Sequence, residues 1–172
     1  MWSPGESATL WAPGSESASG GSTAAGNYFI AALSAEQTAN LSAGDHAEFD
    51  SSASQGDDVT MTTGADQADG VFTLAASKTY KITASMRMEV NEGTAEFAWC
   101  LDSDGSVLVD DTGVSVAALF FRDNAAHDMA VFSTQTIIYT VGGASVDIKM
   151  KCTSETNLSG IQPGSRVLIE TM

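Results

Sequence analysis

Two histidines, His46 and His127, and two cysteines, Cys100 and Cys152, are all that the 172 residues offer for imidazole or thiolate chemistry. Each histidine stands alone among small or acidic neighbours. Neither has a second histidine four residues away, the spacing that brings two imidazoles to one metal. None of the many serines sits in a Gly-x-Ser-x-Gly elbow, and no glycine-rich loop leads into a helix to cradle a phosphate. Asp102, Asp104, Asp110 and Asp111 gather oxygen donors in one stretch, and Asp102-Ser103-Asp104-Gly105 begins like a calcium loop. The remaining ligand positions and the closing glutamate of such a loop are absent, so the stretch reads as a soluble hairpin tip. Asp57-Asp58 and Asp66 with Asp69 read the same way. The expectation is a chain that is not an enzyme and holds no metal and no cofactor.

The charge balance narrows the partners. Aspartate and glutamate number 22 against 7 lysines and arginines, a formal charge of -15. Nucleic acid needs clustered cations to neutralise phosphates, so no nucleic acid is expected. An anionic membrane surface is disfavoured equally, and no apolar run is long enough to span a bilayer as a helix. The first basic residue is Lys78. Signal and transit peptides carry early positive charge, so neither is expected. With only two cysteines, a disulfide framework or a zinc site is unsupported, and both thiols are expected to be free.

The elements that would hold any binding residues are strands. TYKITASMRMEV (79–90) puts Tyr80, Ile82, Ala84, Met86, Met88 and Val90 on one parity and Lys81, Thr83, Ser85, Arg87 and Glu89 on the other. That is a strand with one face in a core and one in water. HAEFD (46–50), DVTMTT (58–63), VFTLAAS (71–77), TAEFAWCL (94–101), VSVAALFF (114–121), MAVFSTQTIIYTV (129–141), SVDIKMKC (145–152) and SRVLIET (165–171) add further short strands. Loops are expected at NEG, RDNAAHD, GG and SETNLSGIQPG, and a hairpin turn at Asp104-Gly105. SAEQTANL (34–41) reads either as one helical turn with Ser34 and Gln37 as a capping box, or as a lead-in to a first strand. Strand parity places Cys152 toward the core and Cys100 on the opposite face. Eight or nine short strands with almost no helical periodicity indicate an all-β antiparallel sandwich.

Two features stand outside that pattern. AALFF and TIIYTV are apolar on both parities, which reads either as a short buried stretch near the sandwich ends or, the reading favoured, as a second buried face at a subunit interface. Ahead of the sandwich, residues 1 to about 26 are dominated by Ser, Gly, Ala, Thr and Glu, too polar and small to bury a core of their own. Within them Trp-x-Pro-Gly occurs twice, at Trp2-Ser3-Pro4-Gly5 and Trp11-Ala12-Pro13-Gly14. The division expected is an extended arm over 1–37 and a β-sandwich over 38–172.

VFTLAASKTYKITASMRMEV resembles a stretch of the jelly-roll domains of the complement-C1q and tumour-necrosis-factor type. HAEFD is similar to the first strand of that fold, and GSRVLIETM to its closing strand. The resemblance covers roughly residues 38–172 and implies a two-sheet jelly roll that assembles as a compact homotrimer. Phe120, Phe121, Ile138 and Tyr139 are the residues it places at the trimer interface. Stalkless versions are common among structural proteins of tailed bacteriophages, and this chain has neither a Gly-X-Y run nor heptads. It therefore resembles a virion part more than a secreted signal.

The function expected is capsid decoration: a cement protein that binds the outer capsid surface of a tailed phage as a trimer and stabilises it. Its partners would be the major capsid protein and itself, and its location the capsid exterior. The arm residues Trp2, Pro4, Trp11, Pro13, Tyr28, Phe29 and Ile30 would grip the capsid, each large side chain contributing ~1.5–3 kcal/mol when buried in a groove. The alternative is a fibre head that recognises bacterial surface glycan through its loops. RDNAAHD, SETNLSG and GADQADG contain no aromatic residue on which a sugar ring could stack. A bacterial C1q-like interaction module, the third reading, would more naturally carry an export signal.

Overall fold

The computed structural model describes residues 26–63, 70–109, 111, 119–122 and 130–172. Among them the regular elements are nine strands, β1 (Tyr28–Ala32), β2 (Ser51–Gln55), β3 (Val59–Thr62), β4 (Val71–Leu74), β5 (Thr79–Leu101), β6 (Leu119–Arg122), β7 (Ala130–Thr140), β8 (Val146–Ile161) and β9 (Arg166–Thr171). Every pairing between them is antiparallel.

The strands make two layers because β5 takes part in both. Its first half pairs with β7 on one side and β9 on the other. Its second half pairs with β6 and β8. The first layer runs β2-β1-β9-β5-β7 and the second β3-β4-β8-β5-β6. Residues of one parity from both layers fill the space between them: Phe29, Tyr80, Ile82, Met86 and Ile169 from the first, Phe72, Leu74, Phe97, Trp99, Phe121 and Ile148 from the second. Phe72 contacts Phe29 edge-on at 6.0 Å across the layers, and Phe49 and Trp99 at 5.9 and 5.8 Å. Such aromatic contacts favour one packing geometry beyond the area they bury.

The chain turns between layers without leaving the ladder, which differs from the sequence expectation. Asn91-Glu92-Gly93 is not a loop: β5 continues through it, and β8 continues through SETNLSG to Ile161. The pairing jumps from Val90↔Leu158 to Thr94↔Thr156, so three residues of β5 stand opposite Asn157 alone. Two further irregularities leave Thr153 and Ser159 of β8 without register partners. Each turns its hydroxyl onto the β5 carbonyl beside it, Thr153 Oγ1 onto Glu96 O at 3.2 Å and Ser159 Oγ onto Glu89 O at 3.1 Å. Bulges sharpen local twist and bend the strand, and here they carry one long strand from one layer to the other.

The N-terminal boundary also moves. The first described strand is Tyr28–Ala32, inserted between β2 and β9, so the sandwich already includes residues 28–32, ahead of the boundary expected at 38. HAEFD forms only a single bridge, His46 to Lys151, with Ala47 and Phe49 delivered to the core. SAEQTANL is neither a helical turn nor a strand lead-in. Ser34 binds Asp50 through both its amide and its hydroxyl. The buried Gln37 amide donates to Ala39 O, Asn40 O and His46 O and accepts from the Glu48 amide. The Gln37 backbone makes an isolated antiparallel bridge to Ile161, and its side chain satisfies the neighbouring backbone groups that this bridge does not reach.

Candidate interaction surface

The outward parity of the first layer makes the broadest candidate surface. The register sets Ile138, Lys81, Glu170, Tyr28 and Gln55 in one row across β7, β5, β9, β1 and β2. The next row is Thr136, Thr83, Leu168, Ile30 and Ala53, and the third is Thr134, Ser85, Arg166, Ala32 and Ser51. Phe132 stands beside Arg87 at the end of the β5–β7 ladder. Hydroxyl pairs tie β5 to β7: Thr79 with Thr140 at 2.8 Å, Thr83 with Thr136 at 3.0 Å and Ser85 with Thr134 at 3.2 Å. Lys81 reaches Glu170 at 2.8 Å.

This face combines two properties that suit contact with another copy. It is partly apolar: Phe132 is 62% exposed, Ile30 39% and Tyr28 37%, with Ile138 and Leu168 half-buried among them. Shallow depressions lie at Tyr28, Ile30 and Leu168 and at Ile30, Thr83 and Arg166. It is also not acidic. Lys81, Arg87 and Arg166 face three carboxylates, Glu89, Glu170 and, at the rim, Asp111 on the Thr140 hydroxyl, on a chain whose overall balance is 7 cations to 22 carboxylates. A second copy approaching here meets less repulsion than it would elsewhere.

The residues expected at an interface separate. Ile138 lies on this face, whereas Tyr139 has the core parity opposite Tyr80 and is half-buried. Burial, with Asp111 nearby, pushes the Tyr139 hydroxyl above its ordinary value. Phe121 is fully buried and packs edge-on against Phe97 at 6.4 Å, so it is a core residue and cannot meet a partner. Phe120 is 57% exposed, but on the outward face of the second layer opposite Glu96. Over the described part of AALFF, Leu119–Phe121, the double apolarity thus resolves into one core face and one exposed phenylalanine. Sequence reasoning missed Phe132 and Leu168. Their signal was present in AVFST and VLIET, where each is apolar on the parity opposite to the core.

The expected arm residues separate too. Phe29 is buried against Phe72, so it is not available to a capsid groove. Tyr28 and Ile30 sit on the outward face of a paired strand rather than on an arm. Trp2, Pro4, Trp11 and Pro13 lie outside the described residues, as do His127, Asp66, Asp69 and Asp110.

The acidic clusters hold the fold. Asp102 binds Lys149 Nζ at 2.7 Å, Asp104 accepts from the Ser106 amide, and Asp111 accepts from both the amide and the hydroxyl of Thr140. Asp58 accepts from Asn27 Nδ2 at 2.7 Å and pairs with Lys78 at 3.3 Å. Asn27 above all, with Lys78, lowers the Asp58 carboxyl below its usual range, and burial only partly opposes this. Among the described residues no three metal-binding side chains converge.

No protein-family model matches the chain, and no curated protein does. Solved structures do match. Crystal structures of murine APRIL at pH 8.5 and at pH 8.0 superpose with TM-scores of 0.53 and 0.50 at 6% and 7% identity. Each comparison covers 86% of this chain and 98% of the APRIL chain. At such identity the likeness concerns the backbone, and it agrees with the two-layer strand order: this chain folds as a jelly roll of the tumour-necrosis-factor type.

Proposed function

We propose that the chain is a capsid decoration protein of a tailed bacteriophage, which binds the outer capsid surface as a homotrimer and stabilises it. One observation carries the reading. The described residues from 26 onward supply a continuous core between two layers, while a segment with two Trp-x-Pro-Gly motifs precedes β1 in the sequence. A body that fills its own core has no internal place that requires Trp2 and Trp11, which leaves them for a partner. Three such segments on one trimer raise the effective concentration of each, so individually weak contacts hold together. The body's negative charge keeps decorated particles and free protein from associating non-specifically.

The trimer would form head-to-tail, an arrangement that closes into a ring when the rotation between copies is right. The outward face of the first layer, with Tyr28, Ile30, Ile138 and Leu168, supplies one side. The β6–β7 edge, flanked by Phe120 and Phe132 on its two faces, supplies the other. No catalytic step is part of this reading, and the proposed location is the exterior of the virion.

The test is deletion of residues 1–25, which leaves β1 in place, followed by cosedimentation with undecorated capsids. Capsid binding should be lost while the melting temperature stays unchanged. A truncated protein that decorates capsids with unaltered affinity would show that the segment is not the anchor.

A further inference from the structure

The bend shared by β5 and β8 has a feature that folding alone does not require. Glu92 and Asn157 face each other across the ladder, and both have left-handed backbones, with φ of 48° and 55°. Asparagine enters that region readily, but glutamate does so at a cost. Gly93, the next residue, would relax it if it stood one position earlier. Its place is fixed by another need, since a Cβ at 93 would lie 1.8 Å from Thr156 O. The sequence therefore keeps a carboxylate at the one strained position of the bend.

Around these residues the surface is concave. A notch of about 380 Å³ is lined by Asn91, Glu92, Asn157, Leu158 and Ser159, near the lower end of the roughly 300–1,000 Å³ typical of small-molecule sites. Its polar groups have capacity to spare. Neither the Asn91 amide nor the Glu92 carboxylate has a partner among the described residues. Asn157 spends only Nδ2, on Glu92 O at 3.4 Å, and Ser159 only its proton, on Glu89 O.

We infer that this notch is a binding site for a neutral saccharide unit. Two amides, a carboxylate and a hydroxyl supply donors and acceptors at several angles, which suits a ring of hydroxyl groups. Leu158 is the only large apolar side chain in the lining, for the ring's C–H face. An apolar ligand would find little to cover it. An anion would meet Glu92, and a calcium ion would find only one carboxylate where its sites collect several. No aromatic residue stacks here, so affinity should be millimolar. The inference is independent of capsid attachment, because the notch is built wholly from β5 and β8.

The experiment is a titration of the full ¹⁵N-labelled chain with methyl glycosides of glucose, galactose and mannose and with N-acetylglucosamine, each to about 50 mM. At least one should shift the backbone amides of 91–93 and 157–159 and the side-chain amides of Asn91 and Asn157, and should saturate. Asn91→Ala should weaken that binding about tenfold, the loss of one well-made hydrogen bond, with the melting temperature unchanged. Asn157→Gly, which relieves the backbone and removes the amide, should bind less while melting no lower. The assignment is overturned if none of the four sugars moves these amides, if both variants bind like the parent, or if calcium chloride alone produces the shifts.

Discussion

Cys100 and Cys152 show how one side chain's chemistry is set by what covers it. Cys152 points into the core with Met150 and Ile148, and burial raises its thiol to about 11. Cys100 has the opposite parity, and a wet position follows from alternation alone. Yet it is fully buried. Lys149 and Lys151 lie near its thiol, and long lysine stems can shelter apolar surface while their ammonium groups stay in water. Burial raises its thiol as well, against the pull of those two charges. The native protein should therefore resist iodoacetamide at pH 8, and both thiols should be alkylated in guanidinium. Mass spectrometry counts the adducts, and fast labelling of the folded chain would contradict this account. Asp58 makes the matching case for pH. Its folded carboxyl is lowered, so the stabilisation it gives is present above the ordinary value of 3.8 and is lost as pH falls through the lowered one. Asp58→Asn should cost about 1 kcal/mol at pH 7 and should lose less stability than the parent between pH 4 and pH 2 in urea titrations. The Lys-Thr-Tyr motif was legible for good physical reason. Lys78 holds Asp58, Thr79 holds Thr140, and the Tyr80 hydroxyl donates to Asp58 O and Ala75 O. Lys78 and Tyr80 converge on Asp58, the one on its carboxylate and the other on its carbonyl, while Thr79 ties the motif to β7.

At the scale of elements, alternation revealed strands well where one parity is buried, as in β5 from Thr79 and in β9. It failed where hydrogen bonds rather than side-chain packing define the element. β2 is exposed along its whole length and has no hydrophobic period to read. Asn-Glu-Gly and Ser-Glu-Thr-Asn carry turn chemistry, and only the long-range β5–β8 ladder keeps them in strands. Gly93 tests that view. A methyl group there would meet Thr156 O at 1.8 Å, and a backbone oxygen in a ladder cannot step aside cheaply. Gly93→Ala should cost about 3 kcal/mol, whereas Gly142→Ala, with open space around its Cβ, should change stability little. Equal melting temperatures for the two variants would mean that the bend is looser than its geometry. β1 tests the boundary. Phe29→Ala should cost about 3–5 kcal/mol, and a chain starting at residue 34 should fail to fold where one starting at residue 26 succeeds. Circular dichroism melts separate these cases.

For the whole molecule, the unresolved balance is between charge and surface. A net charge of -15 on 172 residues opposes self-association, so copies can meet only where acidity is locally absent and apolar surface outweighs the residual repulsion. The outward face of the first layer meets both conditions. Ile30 and Ile138 lie at its two sides, flanking the Lys81–Glu170 pair of the central strands. Their exposure in the single chain is what makes them informative. Replacing an exposed strand residue changes the stability of one copy by about 0.5 kcal/mol, whereas burying two new carboxylates at an interface beside Glu170 would abolish it. Ile30→Glu with Ile138→Glu should therefore sediment as a monomer at micromolar concentration and keep its circular dichroism spectrum, while the parent sediments as a trimer. Phe120→Ser should weaken the trimer without dissociating it fully, because the β6–β7 edge retains Phe132. A parent that is itself monomeric would remove the trimer, and with it the cooperative grip of three N-terminal segments. A parent that stays trimeric in the double variant would move the interface to the second layer, where Phe120 is the large apolar side chain most exposed among the described residues of β6.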